Sequence, residues 1–451
     1  MDMRRGHALL VLVVLLLLCG CSASTTSPTV SSSPTGPGAQ PASAATAVPT
    51  IPSIESVYSF QGTDGAWARG SLTRSGSTLF GRTSIGGKAN SGTIFSVQTN
   101  GSQFKKLFDF PSGGDNVVGN QPHHNFMLLA GQTLVGAALL GGNELGGQLC
   151  QKQDPGAPAV DTKGNGTLYT IQVDGTGFNA IKLFDGPPND TCCAHSPPIF
   201  SADGTFLFGL TAGGGANNGG TIYSVNLDGS NFQSLYSFAA SSGDQPHGVL
   251  TYDSSGTKLL GITSRDGTAK DGKTGAGVVF LFDPSNANYQ VLWTFENGDP
   301  NNGSTNDHGF LTRIGTALYG TTELGGAFNN GIVFTINEDG TGFQILHSFG
   351  PPGDGAKPFG SLTLLNGWLY GTTSVGGANA AGTVFRILPN GTSYQVLGSF
   401  STATTGAFPE DCLTPDATGT ILFGQTQAGG TFDPQATTYF GTIFRVNVPL
   451  Q

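Results

Sequence analysis

A five-residue pattern, Leu-aromatic-Gly-x-Thr, recurs along the chain and constrains its fold more than any other feature. It reads LFGRT at 79–83, LFGLT at 207–211, LLGIT at 259–263, LYGTT at 318–322 and 369–373, and LFGQT at 422–426. A worn copy, LVGAA, stands at 134–138. The seven glycines recur about every 57 residues, a spacing that marks a repeat architecture.

Each copy is followed by a glycine-rich connection and a second apolar segment, such as GTIF (92–95), GTIY (220–223), GIVF (331–334) and GTVF (382–385). Alternating β-branched and aromatic residues of this kind suit a strand. An Asn-Gly or Asp-Gly pair then signals a tight hairpin, as at Asn100-Gly101, Asp228-Gly229 and Asp339-Gly340. A third segment closes the unit, as in LFDF (107–110), LYSF (235–238) and LHSF (346–349). Before the pattern sits a further short segment, HGVL at 247–250, HGFL at 308–311 and FGSL at 359–362, which reads as the first strand. One repeat is therefore four antiparallel strands, a to d.

A four-stranded sheet repeated around an axis is the β-propeller plan. The termini supply the missing piece. The folded part opens with a lone d-type segment, VYSF at 57–60, and ends after a c-type segment, GTIFRV at 441–446. These deficits are complementary. The expectation is an all-β, seven-bladed β-propeller of four-stranded antiparallel blades over residues 53–451, its ring closed by the N-terminal strand, which removes two sheet edges.

The run LYGTT-x-x-GG-x-x-x-x-G-T-V-F with a following L-x-S-F, best preserved at 318–349 and 369–400, resembles the GloVer tandem-repeat family. The resemblance covers roughly residues 55–447. It implies an exported bacterial repeat protein with a cell-surface anchor and supplies no catalytic residues. The second repeat departs from the pattern, with LVGAA and a long insertion at 141–165.

Address is legible at the N-terminus. Arg4 and Arg5 precede an apolar run, Ala8–Leu18, too short to span a bilayer, which needs about 20 residues. Residues 1–20 read as a signal peptide. Leu18-Cys19-Gly20-Cys21 resembles a bacterial lipobox, so Cys21 is the expected lipidation site and the membrane a partner through that anchor. Residues 21–52 are rich in Ser, Thr, Pro and Ala and read as a disordered tether. The expected location is the bacterial cell envelope, outside the cytoplasm, and the outer membrane if the host has one.

Composition limits the function classes. The net charge is −10, and charged residues make up only 11% of the chain. A nucleic-acid binder would carry a basic face, so no nucleic-acid partner is expected. No cofactor or metal motif is present. The glycine pairs, such as Gly213-Gly214 and Gly376-Gly377, lack the Lys and following helix of a phosphate loop, and turns such as Asp185-Gly186 lack calcium-loop spacing.

One column stands out, the residue before the Gly of HGxL. It holds Arg69, His123, His195, His247, His308, Phe359 and Glu410. In a propeller this column faces the axis, so Arg69, His123, His195, His247, His308 and Glu410 are candidate channel-mouth binding residues. The same residues could instead pack under the blades, as Phe359 in that column suggests. Export permits disulfides. A bridge among Cys150, Cys192 and Cys193 links neighbouring loops, and the sequence does not choose the pairing. Trp67, Trp293 and Trp368 sit near repeat positions, which predicts no free aromatic platform.

The function expected is a binding or interaction module with a protein or glycan ligand. The alternatives are a glycan hydrolase or lyase using carboxylates at the channel mouth, namely Glu410, Asp411 and Asp307, or a purely structural envelope protein.

Overall fold

The computed structural model describes residues 54–449 except 113–117, 123, 125–126, 143–163, 188–190, 270–271, 273, 305–308 and 434–437. Cys21 and the segments expected to be a signal peptide and a tether lie outside the described residues.

Each Leu-x-Gly-x-Thr copy forms strand b of a blade. The glycine is demanded by packing. At all seven sites an added Cβ would meet the ring of the strand-c aromatic directly opposite, for instance 2.6 Å from Phe334 at Gly320 and 2.5 Å from Phe385 at Gly371. The worn second copy keeps this pair, Gly136 under Tyr169. A second glycine opens strand c in every repeat. Gly92, Gly166, Gly220, Gly277, Gly331, Gly382 and Gly441 all have φ between 91° and 101°, a conformation side chains rarely adopt. The motif's last Thr clamps the b–c turn. In the sixth repeat Thr373 Oγ1 accepts from the Thr383 N–H (3.1 Å) and donates to Val375 O (3.0 Å).

Four antiparallel strands make each of seven blades. A representative blade runs Thr312–Ile314, Ala317–Thr322, Ile332–Asn337 and Gln344–Ser348. The seventh is built from both ends of the chain. Thr414–Pro415, Ile421–Thr426 and Thr442–Asn447 are completed by Ile54–Ser59, paired from Ile54↔Val446 to Ser59↔Thr442. Across this closing pair Arg445 binds Glu55 at 2.6 Å. Phe60, Phe423 and Ile443 of the closing blade share a buried cluster with Leu72, Leu79 and Phe95 of the first. The ring is closed. Among the described residues the only helical element is a 3₁₀ turn, Ala240–Ser242, and no helix is long and apolar enough to cross a membrane.

The structure relocates strand a. The Gly-containing segments at 247–250 and 359–362 are not strands; pairing starts just after them, at Thr251 and Thr363. The reason is crowding at the axis. A Cβ at Gly248 would collide with the carbonyl oxygen of Gly309 in the next blade, and one at Gly360 would lie 2.6 Å from Asp411. Here backbone groups bond between blades, not within them. Phe310 N–H donates to Ser361 Oγ at 2.6 Å, and Thr321 Oγ1 donates to Gly360 O at 2.7 Å.

A threonine opening strand a repeats this theme. Thr73, Thr251, Thr312 and Thr363 each donate to a backbone carbonyl of the following blade, and Thr414 does so across the closure to Leu72 at 2.6 Å. Thr312→Val is expected to leave the Leu362 carbonyl without this donor and to cost about 1–3 kcal/mol. Thr312→Ser should recover most of that loss, read as the urea midpoint.

Two further regularities escape sequence reading. Strand d is bulged in every blade, the extra residue being Val57, Leu107, Ile181, Leu235, Leu292, Leu346 or Leu397. Next to the bulge an aromatic side chain of one blade stacks on the c–d hairpin of the next: Tyr58 on Phe104 (4.2 Å), Phe108 on Phe178 (3.9 Å), Tyr236 on Tyr289 (4.2 Å) and Trp293 on Phe343 (4.1 Å).

Candidate functional site

The b–c and d–a connections lie on one face of the ring, and in every repeat they pair with each other. The pairing is a short ladder in three repeats, as at Thr191–Cys192 with Gly213–Gly214, and a single bridge in the other four, as at Ala66↔Ile85. This is what the glycine pairs serve. The d–a connection also places one residue in the left-handed region two positions before the axial column: Trp67, Gln121, Cys193, Gln245, Lys357 and Phe408, with φ from 49° to 65°. One backbone constraint thus presents five kinds of side chain at the equivalent position of six blades.

The structure brings the axial column together in pairs between neighbouring blades. Arg69 Nε lies 3.2 Å from Glu410 Oε2 across the closure. The Gln427 amide bridges the same two groups, its nitrogen 2.8 Å from Glu410 Oε1 and its oxygen 2.8 Å from Arg69 Nη2. His195 and His247 stack with ring centroids 4.2 Å apart. Arg69, His195 and His247 are all buried. His123 and His308 lie outside the described residues, as does Asp307.

Where three repeats replace the axial glycine, the new side chains fill the middle. His124 of the second blade reaches Asp411 of the seventh, Nδ1 to Oδ2 3.4 Å, and lies 6.3 Å from the Phe359 ring of the sixth. Ser196 donates to the His247 carbonyl, and buried Arg82 donates to that of His124. Beside them Val249, Phe310 and Cys412 form an apolar cluster drawn from the fourth, fifth and seventh blades. The described part of the axis is a packed core. Among the described residues no three His, Cys, Asp or Glu side chains converge as metal ligands would.

Concavity appears elsewhere on the same face. At the seam between the last and first blades lies a groove of about 360 Å³, walled by Trp67, Tyr439 and Phe440 and edged by Gln61, Thr63 and Asn90. Trp293 and Trp368 are absorbed as the sequence predicts. The first stacks on Phe343 and donates to Asn302 (3.1 Å), and the second lies under Arg386 at 4.1 Å. Trp67 departs from that expectation. It is only half-buried, with the Arg69 guanidinium 5.2 Å from its ring centre. Its backbone is tied to the last blade, N–H to Phe440 O at 3.0 Å. Sequence reading missed this platform because Tyr439 and Phe440 come from the far end of the chain.

Cys193 is disulfide-bonded, while Cys192 and Cys412 are buried thiols. Cys192 therefore drops out of the expected bridge, although its sulfur is 3.1 Å from Cys193 Sγ. Cys150 lies outside the described residues.

One carboxylate on this face is held above its ordinary range. Burial, reinforced by neighbouring Asp266, pushes Asp244 up to about 6. Between pH 4 and 6 the unfolded chain then releases this proton before the folded one does. Stability therefore falls as pH rises through that window and is level above it. Asp244→Asn should remove this part of the decline, checked by thermal unfolding at pH 4, 5, 6 and 7.

Comparison with known proteins places the repeat. The chain matches the Gloeobacter/Verrucomicrobia repeat over residues 156–305 and 266–450. No curated protein sequence matches it. Among solved structures it resembles the GH74 xyloglucanase of Xanthomonas campestris, with a TM-score of 0.50 and 12% identity over 86% of this chain and 55% of that one. It also resembles TolB of Acinetobacter baumannii, with a TM-score of 0.41 and 12% identity over 83% of this chain and 79% of that one. At such identity the first likeness speaks for the fold alone.

Proposed function

From the chain's membership of the Gloeobacter/Verrucomicrobia repeat family and the geometry of its loop face, we propose that it is an extracytoplasmic binding module, anchored by a lipid on Cys21. The observation that carries this reading is the state of the two described axial carboxylates. Glu410 is paired with Arg69 and Gln427, and Asp411 with His124. Hydrolysis of a glycoside needs two carboxyl groups about 5–9.5 Å apart, one proton-donating and both within reach of substrate. Paired carboxylates inside a packed axis serve the join between blades instead. What the ring offers outward is a rigid face of seven loop pairs, with Trp, Gln, Cys, Lys or Phe at the left-handed position of the six blades where it is described. The axial column enters as support: Arg69 and Glu410 brace Trp67 from within.

Two measurements test the proposal. Metabolic labelling with an alkyne fatty acid should mark the wild type and not Cys21→Ala, which should move to the soluble extracytoplasmic fraction. The purified chain should bind an envelope preparation saturably, without turnover in a glycan hydrolase and lyase screen. Turnover that disappears in Glu410→Gln would instead make it an enzyme.

A further inference from the structure

The seam groove departs from the repeat rule, and its departures share one chemistry. The residue before the glycine that opens strand c is Ser91, Asn165, Gly219, Ala276, Asn330 or Ala381 in six repeats and Phe440 in the seventh. One position earlier, Asn90, Asn218 and Asn329 each accept the N–H of a b–c glycine at 2.9–3.1 Å, and the seventh repeat has Tyr439 instead. The left-handed position facing them carries Trp67. Sites where a sequence breaks its own local rule are where function is expected.

The lining is uncharged. Among the described residues, beyond the six that wall and edge it, the groove is bounded only by glycine, alanine and isoleucine. The Lys106 ammonium, bonded to the Thr63 carbonyl at 3.0 Å, is neutralised by Asp109 at 2.8 Å, so the lining offers a phosphate, a carboxylate or a metal ion no net counter-charge in return for lost hydration. The polar groups at the rim are held in fixed orientations. Gln61 Nε2 donates to Ser59 O (3.0 Å) and Thr431 Oγ1 (2.8 Å), which turns the amide oxygen into an acceptor for a ligand. Asn90 Oδ1 accepts from the Gly86 N–H (2.9 Å), which leaves its NH₂ as a donor. An aromatic floor flanked by one fixed acceptor and one fixed donor matches a molecule with an apolar C–H face and a rim of hydroxyls. The negative face of an indole attracts such C–H groups.

We infer that the groove formed by Trp67, Tyr439 and Phe440 at the closing seam binds a neutral sugar unit of a glycan. This rests on the binding-module reading and gives it a ligand class. Burial of Arg69 against Trp67 fixes the indole, so little ordering is needed on binding.

The test is isothermal titration of the full-length Cys21→Ser chain with cellohexaose, xylohexaose, mannohexaose and maltohexaose, and with hexagalacturonate as the charged control. At least one neutral hexamer should bind. Trp67→Ala should weaken that binding about tenfold or more at an unchanged melting temperature, and Trp67→Phe should recover most of it. If Trp67→Ala does not fold, Tyr439→Ala takes its place with the same expectation. Binding of none of the neutral hexamers, binding of hexagalacturonate alone, or equal affinity in wild type and the Ala variant would overturn the inference. Saturable envelope binding with no sugar binding would sink only this inference; loss of both would sink the module reading as well.

Discussion

Gly371→Ala is expected to lower the urea midpoint of unfolding by the equivalent of about 1–3 kcal/mol, the usual cost of forcing an extra methyl into a filled core. The backbone at Gly371 is in an ordinary strand conformation, so the penalty comes from the neighbour. The new Cβ would lie 2.5 Å from Phe385 Cζ and 3.0 Å from Leu362 Cδ2. Both are fully buried and cannot swing into solvent. Shrinking the obstacle should help: Gly371→Ala combined with Phe385→Leu should be less destabilised than the sum of the two single changes. An additive result would mean that the ring does not set the need for glycine. The same reasoning extends to Gly136, which sits under Tyr169 although the rest of its motif is worn.

The larger effect is expected from the closure. A chain beginning at residue 61 lacks the whole Ile54–Ser59 strand and Phe60, which is fully buried in the cluster joining the last and first blades. Removing Phe60 alone should cost about 3–5 kcal/mol, as for other buried phenylalanines. Removing the strand also bares the edge of Thr442–Asn447 and opens a route to self-association. Compared with a chain beginning at residue 54, the shorter chain should unfold at a lower midpoint and elute from a sizing column as multimers. Equal midpoints and a monomeric profile would contradict this.

How much was legible follows from what is local. Blade count, strand order and closure were readable because the motif repeats in register and the terminal deficits match. The a-strands were misplaced because the Gly-x-Leu segments alternate like strands, although their hydrogen bonds run to the next blade. The d-strand bulge was hidden for a related reason: Leu107 or Leu292 looks like any strand leucine until its partner strand is known. The axial column was found, but not the blade-to-blade pairing of Arg69 with Glu410 or the His195–His247 stack, since each joins residues of different repeats. The seam groove was invisible for the same reason, with Trp67 and Phe440 meeting only when the ring shuts.

Hydrogen exchange at the amides of Ile54–Ser59 tests the closed ring most directly. A closed ring gives these amides protection matching that of Gln395–Ser399, the equivalent strand of an interior blade. Rapid exchange of 54–59, with 395–399 and 442–447 still protected, would contradict it.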